Sequence, residues 1–332
     1  MPVGDDHVFP HDGVERTYKM YKPDNLAPGA PMVFVLHGMT SNSTWSYLAG
    51  FNDLAEEHGF LAVYPQSHLK LITFGKAGGK QGDSGKKDNS GKKGDSGKDD
   101  FTDFLGDKAK NCKEGETFTA MGMEILCQNG LLTTQQLRWN NENADDLFDG
   151  QSDVSFLTAL AKSLQDEFDL SRKKTFVAGF SNGGYMSYTL MCQASDVFAA
   201  AGVVAGLIDV EVLKNCSFDQ PKPIIHIHGA KDGMVPISGE TDKSTGIAMV
   251  SAQDIVQYFA NLNESVTTTE TQVTDNTTLT TYIPDGNGAE VHYYRIENHD
   301  HFWPGSDPSK KGYNDESGIN ASELIWSFFS RL

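Results

Sequence analysis

Short unbroken apolar runs alternate with longer stretches of helical spacing along most of the chain. Pro31 to Leu36 (PMVFVL), Phe60 to Tyr64 (FLAVY), Thr175 to Gly179 (TFVAG), Phe198 to Val204 and Ile224 to His228 lack the alternation of a half-exposed strand. Such runs suit strands buried on both faces of a parallel sheet. Arg16 to Lys22 (RTYKMYK) alternates and predicts an edge-side strand, and Leu279 to Ile283 and Glu290 to Ile296 predict two late strands. Trp45 to His58, Val154 to Phe168, Tyr185 to Cys192, Val250 to Leu262 and Ser322 to Leu332 have helical spacing, with Gly59 placed to end the first. Strands alternating with helices predict an α/β fold, with a mostly parallel central sheet flanked by helices.

One segment breaks the rhythm. Gly75 to Asp100 (GKAGGKQGDSGKKDNSGKKGDSGKDD) is a degenerate repeat with no residue able to anchor a core. That composition cannot offset the entropy of ordering, so residues 75–100 are expected to form a mobile surface loop. The whole of Ser67 to Gln136 reads as a large insertion after the fourth strand region of a single domain spanning 1–332. Its later part, residues 101–132, has enough apolar residues and two cysteines to pack as a small subdomain. Gly-Asp-Ser-Gly occurs twice in the repeat, at Ser84 and Ser96. It matches the nucleophile motif of chymotrypsin-like proteases, but a Lys/Gly-rich repeat supplies none of the rigid frame that motif needs.

Charge narrows the classes of partner. Lys and Arg number 27 and Asp and Glu 45, for a net charge of −18. A surface this acidic repels nucleic acid phosphates and anionic membranes. No apolar run approaches the roughly 18 residues needed to span a bilayer. Met1 to Pro10 is polar and acidic, so no signal peptide is read in the chain as given, which fits either a cytoplasmic protein or a trimmed secreted one. Cysteines stand at 112, 127, 192 and 216, none in a CxxC. Sequence-local pairing would join Cys112 to Cys127 and Cys192 to Cys216; four buried free thiols are the other reading.

The chemistry centres on Gly179-Phe180-Ser181-Asn182-Gly183, a G-x-S-x-G that follows an apolar strand and opens a helix. That context predicts a nucleophile elbow, a strained turn that raises Ser181 above the sheet at a helix N-terminus. A serine needs a base, and the base needs an orienting acid, in the chain order Ser, acid, His. Asp232 lies just past the strand Ile224 to His228, on the active side of such a sheet, with Glu240 and Asp242 as weaker alternatives. His299 and His301 both follow the last strand, and position alone does not choose between them. Oxyanion donors are expected from the amides of Asn182 and of Met39 in the loop after Leu36, with Thr40 as the alternative. His37 reads as structural. His226-Ile227-His228 and His299-Asp300-His301 are H-x-H pairs, but no His-Glu-x-x-His accompanies them, and neither a metal nor a cofactor is expected.

Read in order, RTYKMYKPDNL, VFVLHGMTSN, FNDLAEEHGFLAVYPQ, RWNN, SDVSFL, GFSNGGYMSY, FAAAGVVAG, IIHIHGAKDGMVP and HFWPG resemble the polyhydroxybutyrate depolymerase-like esterases. These are related to the feruloyl and acetylxylan esterases of carbohydrate esterase family 1. The likeness covers nearly all of the chain outside the insertion. It implies an α/β-hydrolase fold, cleavage of carboxylic esters through a serine acyl-enzyme, and secretion. It also selects His301, because the family's catalytic histidine precedes an aromatic or Thr and then Trp-Pro-Gly, as in His301-Phe302-Trp303-Pro304-Gly305. Ser181 and Asp232 match the nucleophile and acid. Trp139 matches a tryptophan near the acyl pocket, and Trp303 is a second candidate for substrate contact. The chain departs from the pattern in having Asn298-His299-Asp300 where Gly-Gly is usual, and in its insertion beside the pocket. The substrates implied are hydroxycinnamoyl (feruloyl-type) esters or polyesters, with acetylated xylan as the alternative and a serine peptidase of the same fold behind it.

Overall fold

The computed structural model describes residues 5–47, 49–76, 113–120, 123–128, 131–140, 152–218, 220–241, 247–305 and 315–332. Six strands run parallel through the middle of a ten-stranded sheet: β3 (Met32–Leu36), β4 (Leu61–Pro65), β9 (Thr175–Phe180), β10 (Ala200–Val204), β12 (Ile224–Gly229) and β16 (Val291–Ile296). Antiparallel strands extend both ends. β1 (His7–His11) and β2 (Val14–Tyr21) flank β4, while β15 (Thr277–Pro284) and β14 (Ser265–Gln272) flank β16. The sheet order is β1-β2-β4-β3-β9-β10-β12-β16-β15-β14, which leaves β14 as an outer edge. β11 (Ile208–Asp209) and β13 (Met249–Val250) form a separate short pair.

The continuous apolar runs have the expected cause, because helices cover both faces. Met32, Phe34 and Leu36 point into a core shared with α3 (Asp153–Glu167), α4 (Asn182–Gln193) and α6 (Ala252–Leu262). Val33 and Val35 point the other way, against α2 (Phe51–His58) and α7 (Ala321–Phe329). In α3 the buried residues Phe156, Leu157, Leu160, Ala161 and Leu164 make one stripe, and the Ser152 side chain caps the helix by accepting from the Ser155 amide. Among the described residues, no helix is long and apolar enough to cross a membrane.

Three readings change. Trp45 to His58 is not one helix but α1 (Ser43–Tyr47) and α2, because Gly50 takes φ 92° between them. β14 escaped notice because seven of its eight residues are exposed, so Thr-rich β propensity rather than an apolar pattern marks it. The expected mobile loop also starts too early: β5 (Leu69–Lys76) runs through Gly75 and Lys76, and residues 77–100 lie outside the described residues. β5 and the later strands of the insertion, β6 (Thr117–Ala120), β7 (Met123–Gln128) and β8 (Leu131–Leu137), make a four-stranded antiparallel sheet in the order β5-β8-β7-β6.

Cys192, in the last turn of α4, is bonded to Cys216, which follows α5 (Val210–Lys214). Cys127 is also disulfide-bonded, and Cys112 lies outside the described residues. Buried charge appears where the insertion rejoins the fold. Arg16 on β2 pairs with Asp153 at 2.6 Å, both side chains being almost fully buried, and the other Asp153 oxygen accepts the Asn140 amide at 2.7 Å. The residues just after β8 are thereby fixed against the first turn of α3.

Candidate active site

Ser181 sits between β9 and α4 with φ 54° and ψ −121°, a conformation that costs a non-glycine residue on the order of 1–3 kcal/mol. The turn is held by close backbone approaches that only glycine permits. A Cβ on Gly179 would lie 2.1 Å from the Gly183 carbonyl oxygen, and one on Gly183 would lie 2.3 Å from that of Leu36. β12 and β16 end side by side, with Gly229 opposite Ile296, so the loops that follow them emerge together. Asp232 comes from the first loop and His301 from the second. His301 Nε2 lies 2.9 Å from Ser181 Oγ, and its Nδ1 lies 2.7 Å from Asp232 Oδ2. Since a carboxylate only accepts, Nδ1 carries the proton and Nε2 presents a lone pair to the serine hydroxyl. Asp232 Oδ1 accepts the amides of Met234 and Val235 at 2.9 and 2.7 Å. Burial alone would raise this carboxyl, but hydrogen bonds from His228, His301 and the Val235 amide outweigh it and hold Asp232 below the usual carboxylate range.

The neighbouring candidates fall into other places. His299 is buried, and its Nε2 donates to the Phe302 carbonyl at 3.1 Å, so it shapes the loop and does not reach Ser181. Glu240 is exposed, and Asp242 lies outside the described residues. Asp300, which stands in the departure from Gly-Gly, accepts the amides of Gly233 at 3.0 Å and of His301 at 2.8 Å through one oxygen. It fastens the acid loop to the histidine loop, a role that the departure marked but did not reveal. Phe180 packs against the His301 ring with centroids 4.8 Å apart, and Trp45 stacks on Phe180 at 5.1 Å.

The two expected oxyanion donors meet through one tryptophan. Thr40 is removed as a donor, because its amide is already bonded to the Leu137 carbonyl at 2.8 Å. The Met39 amide has no protein acceptor among the described residues. Asn182 opens α4 directly after the serine, and its side chain grips the Trp139 backbone, accepting from the amide at 2.7 Å and donating to the carbonyl at 3.3 Å. The Trp139 indole N–H donates to the His37 carbonyl at 2.9 Å. His37 in turn donates from Nδ1 to the Gly38 carbonyl at 2.7 Å and accepts the Ser67 amide at Nε2, 3.1 Å away.

Comparison with known proteins places the chain in a known architecture. The acetyl xylan esterase from Aspergillus awamori superposes with a TM-score of 0.54, covering 99% of this chain and 100% of that one at 12% identity. A putative dienelactone hydrolase from Klebsiella pneumoniae gives 0.51 at 12% identity, with 99% and 98% covered. The chain has the α/β-hydrolase fold. Residues 137–219, which include the elbow, match the prolyl oligopeptidase family. A probable feruloyl esterase C of Aspergillus clavatus is 31% identical over 136 residues, 40% of this chain and 47% of that protein. A bifunctional acetylxylan esterase/xylanase of Neocallimastix patriciarum is 20% identical over 224 residues, 67% of this chain and 22% of that protein. The matches thus span less than half the length of these curated relatives.

Within this α/β-hydrolase fold the two tryptophans read as substrate contacts take buried positions instead. Trp139 is 0% exposed and Trp303 is 3% exposed. The Trp303 indole donates to Ser322 Oγ at 3.1 Å, and its ring packs on Phe51, Trp45 and Phe180. Both rings are spent on the core and both N–H groups on internal acceptors, so neither offers a face to a bound ester. Trp139 instead braces the loop before Met39 and the side chain of Asn182. Trp139→Phe is expected to lower kcat on p-nitrophenyl acetate roughly tenfold with KM little changed, because displaced donors stabilise the oxyanion less. An unchanged kcat in a folded variant would show that Trp139 does not brace the oxyanion donors.

His37 also sets a pH dependence. Burial pushes its imidazole down to about 4, against an ordinary value of 6.5, although the Gly38 carbonyl favours the proton. Between those values the unfolded chain binds a proton that the folded one refuses. The stabilisation is therefore complete above pH 6.5 and is lost as pH falls toward 4, by up to about 3 kcal/mol. His226 is depressed in the same direction, chiefly by burial. Thermal melts should show Tm falling from pH 7 to pH 4.5; a flat profile would contradict a neutral buried His37.

Proposed function

We propose that the chain is a serine carboxylic ester hydrolase working through an acyl-enzyme, with hydroxycinnamoyl (feruloyl-type) esters as its leading substrates. The observation that carries this reading is the continuous contact of Ser181 Oγ with His301 Nε2 at 2.9 Å and of His301 Nδ1 with Asp232 Oδ2 at 2.7 Å, on a strained elbow. Ser181 attacks the ester carbonyl while His301 takes its proton. Asp232 orients the ring and stabilises the imidazolium, and the amides of Met39 and Asn182 face the oxyanion. Collapse of the tetrahedral intermediate expels the alcohol, protonated by His301. Water, activated by the same histidine, then releases the acid.

Similarity to proteins named as feruloyl and acetylxylan esterases supports an ester substrate. Two exposed apolar side chains favour a substrate with an apolar or aromatic group. Met234, on the acid loop, is 70% exposed and Phe302, beside His301, is 39% exposed. Acetylated xylan and polyesters such as polyhydroxybutyrate are the alternatives within the class. A serine peptidase is the second reading, favoured by the prolyl oligopeptidase match across the elbow. The Cys192–Cys216 bond suits an extracellular, oxidising setting. A panel of methyl ferulate, acetylxylan, polyhydroxybutyrate and peptide anilides, with Ser181→Ala as control, tests the proposal. Turnover of methyl ferulate is the expected result, and cleavage of anilides without any ester would overturn it.

A further inference from the structure

β12 carries two histidines on one face, His226 and His228, and neither belongs to the triad. Both are buried, with ring centroids 5.3 Å apart and an interplanar angle of 18°. His226 Nε2 lies 3.1 Å from His228 Nδ1. The other nitrogen of His226, Nδ1, is 2.7 Å from the Tyr188 hydroxyl. The other nitrogen of His228, Nε2, is 2.9 Å from the Val235 carbonyl oxygen and 3.5 Å from Asp232 Oδ2. Tyr188 belongs to α4, the helix that starts directly after Ser181, and Val235 belongs to the loop that bears Asp232. A buried polar line therefore joins the element carrying the nucleophile to the element carrying the acid.

With both imidazoles neutral, one proton order suits every atom of this line. A carbonyl oxygen can only accept, so His228 Nε2 carries a proton and donates it to Val235. His228 Nδ1 then offers a lone pair, which accepts from His226 Nε2–H. That leaves His226 Nδ1 to accept from the Tyr188 hydroxyl. The reverse order would set a lone pair of His228 against the Val235 oxygen and the Asp232 carboxylate. The surroundings keep water from competing: Phe259 stacks on Tyr188 at 5.4 Å and Tyr293 lies against His226 at 5.5 Å. Burial pushes the Tyr188 hydroxyl up and the His226 imidazole down, so both stay uncharged.

We propose that Tyr188, His226 and His228 are positioning residues for the triad acid, fixing through their one-way hydrogen-bond line the loop that presents Asp232 to His301. This rests on the serine hydrolase reading above. The line ends on Val235, whose own amide donates to Asp232 Oδ1 at 2.7 Å, and the His228 N–H points toward the oxygen that His301 uses. The Tyr188 hydroxyl, remote from the triad, selects the polarity of the whole line. Without it His226 can move its proton to Nδ1, His228 can follow, and the donor toward Val235 and Asp232 is lost.

Tyr188→Phe removes that hydroxyl while keeping the ring. It is expected to lower kcat on p-nitrophenyl acetate about tenfold, the effect of one lost hydrogen bond, with KM within about twofold. His228→Leu should lose more, and His228→Gln, which restores an N–H near Nε2, should recover most of the loss. Imidazole ¹⁵N NMR gives a readout independent of turnover. Wild-type His226 and His228 should both be Nε2–H tautomers, and Tyr188→Phe should change that and move the His301 Nδ1–H proton resonance. A folded Tyr188→Phe with wild-type kcat and an unmoved His301 resonance would overturn the proposal, whether or not His228→Leu folds. If the wild-type chain hydrolyses no ester, the functional reading fails, and the His301 resonance in Tyr188→Phe still decides whether the line reaches the triad.

Discussion

Ser181→Ala is expected to cut ester hydrolysis by at least about three orders of magnitude, leaving only what the oxyanion donors and binding supply. The change removes one oxygen, and Oγ is the atom 2.9 Å from His301 Nε2. Little else should move. Gly179 and Gly183 keep the elbow, Ser187 Oγ still donates to the Gly183 carbonyl at 2.8 Å, and the Ser181 amide remains bonded to the Val204 carbonyl at 2.9 Å. The variant should therefore melt close to wild type, which separates lost chemistry from lost fold. A serine-directed phosphonate should label Ser181 and leave Ser84 and Ser96 unlabelled. Activity within tenfold of wild type would end the assignment.

A comparable loss is expected for His301→Ala, while His299→Ala should keep kcat within about tenfold and instead lower stability by roughly 1–3 kcal/mol. The two histidines are two residues apart and opposite in function. One bridges Ser181 and Asp232, and the other is buried with its Nε2 on the Phe302 carbonyl. Single-turnover acylation by a p-nitrophenyl ester, read beside thermal melts, distinguishes them. A silent His299→Ala with an active His301→Ala would mean that the base had been placed two residues out of register.

What could be read from the chain depended on how local its cause was. The elbow at Ser181 is set by a strand, two glycines and a helix start within a few residues, and it was legible as written. Asp232 followed from its place just past the apolar run of β12. The choice of His301 over His299 needed the resemblance, because both follow β16 and only the fold tells which ring turns toward the serine. The tryptophans show the opposite limit. Trp139 and Trp303 lie near the site in sequence terms, but a residue's identity does not say whether its ring faces a cleft or the core. Their burial follows from partners far along the chain, His37 for one and Ser322 for the other. The same holds for Tyr188 and His226, 38 residues apart and joined only by the packing of α4 on the sheet. Central strands buried on both faces, such as β3 and β4, were found, whereas β14, exposed at seven of its eight residues, was missed.

That outer strand has a consequence for how copies of the protein meet. Among the described residues β14 pairs only with β15, and no other described strand covers the row of backbone donors and acceptors along the far side of its eight residues. Such a row is a template for a strand from another molecule. Proline does not interrupt it, and its only charged side chain is Glu270. What opposes self-association is the net charge of −18, which makes one copy repel the next. Repulsion of that kind acts over about 8 Å at physiological ionic strength and only about 3 Å in molar salt. What opposes such pairing is therefore a charge spread over the whole surface and not a feature of the strand itself, and concentrated salt screens that charge while leaving the template in place.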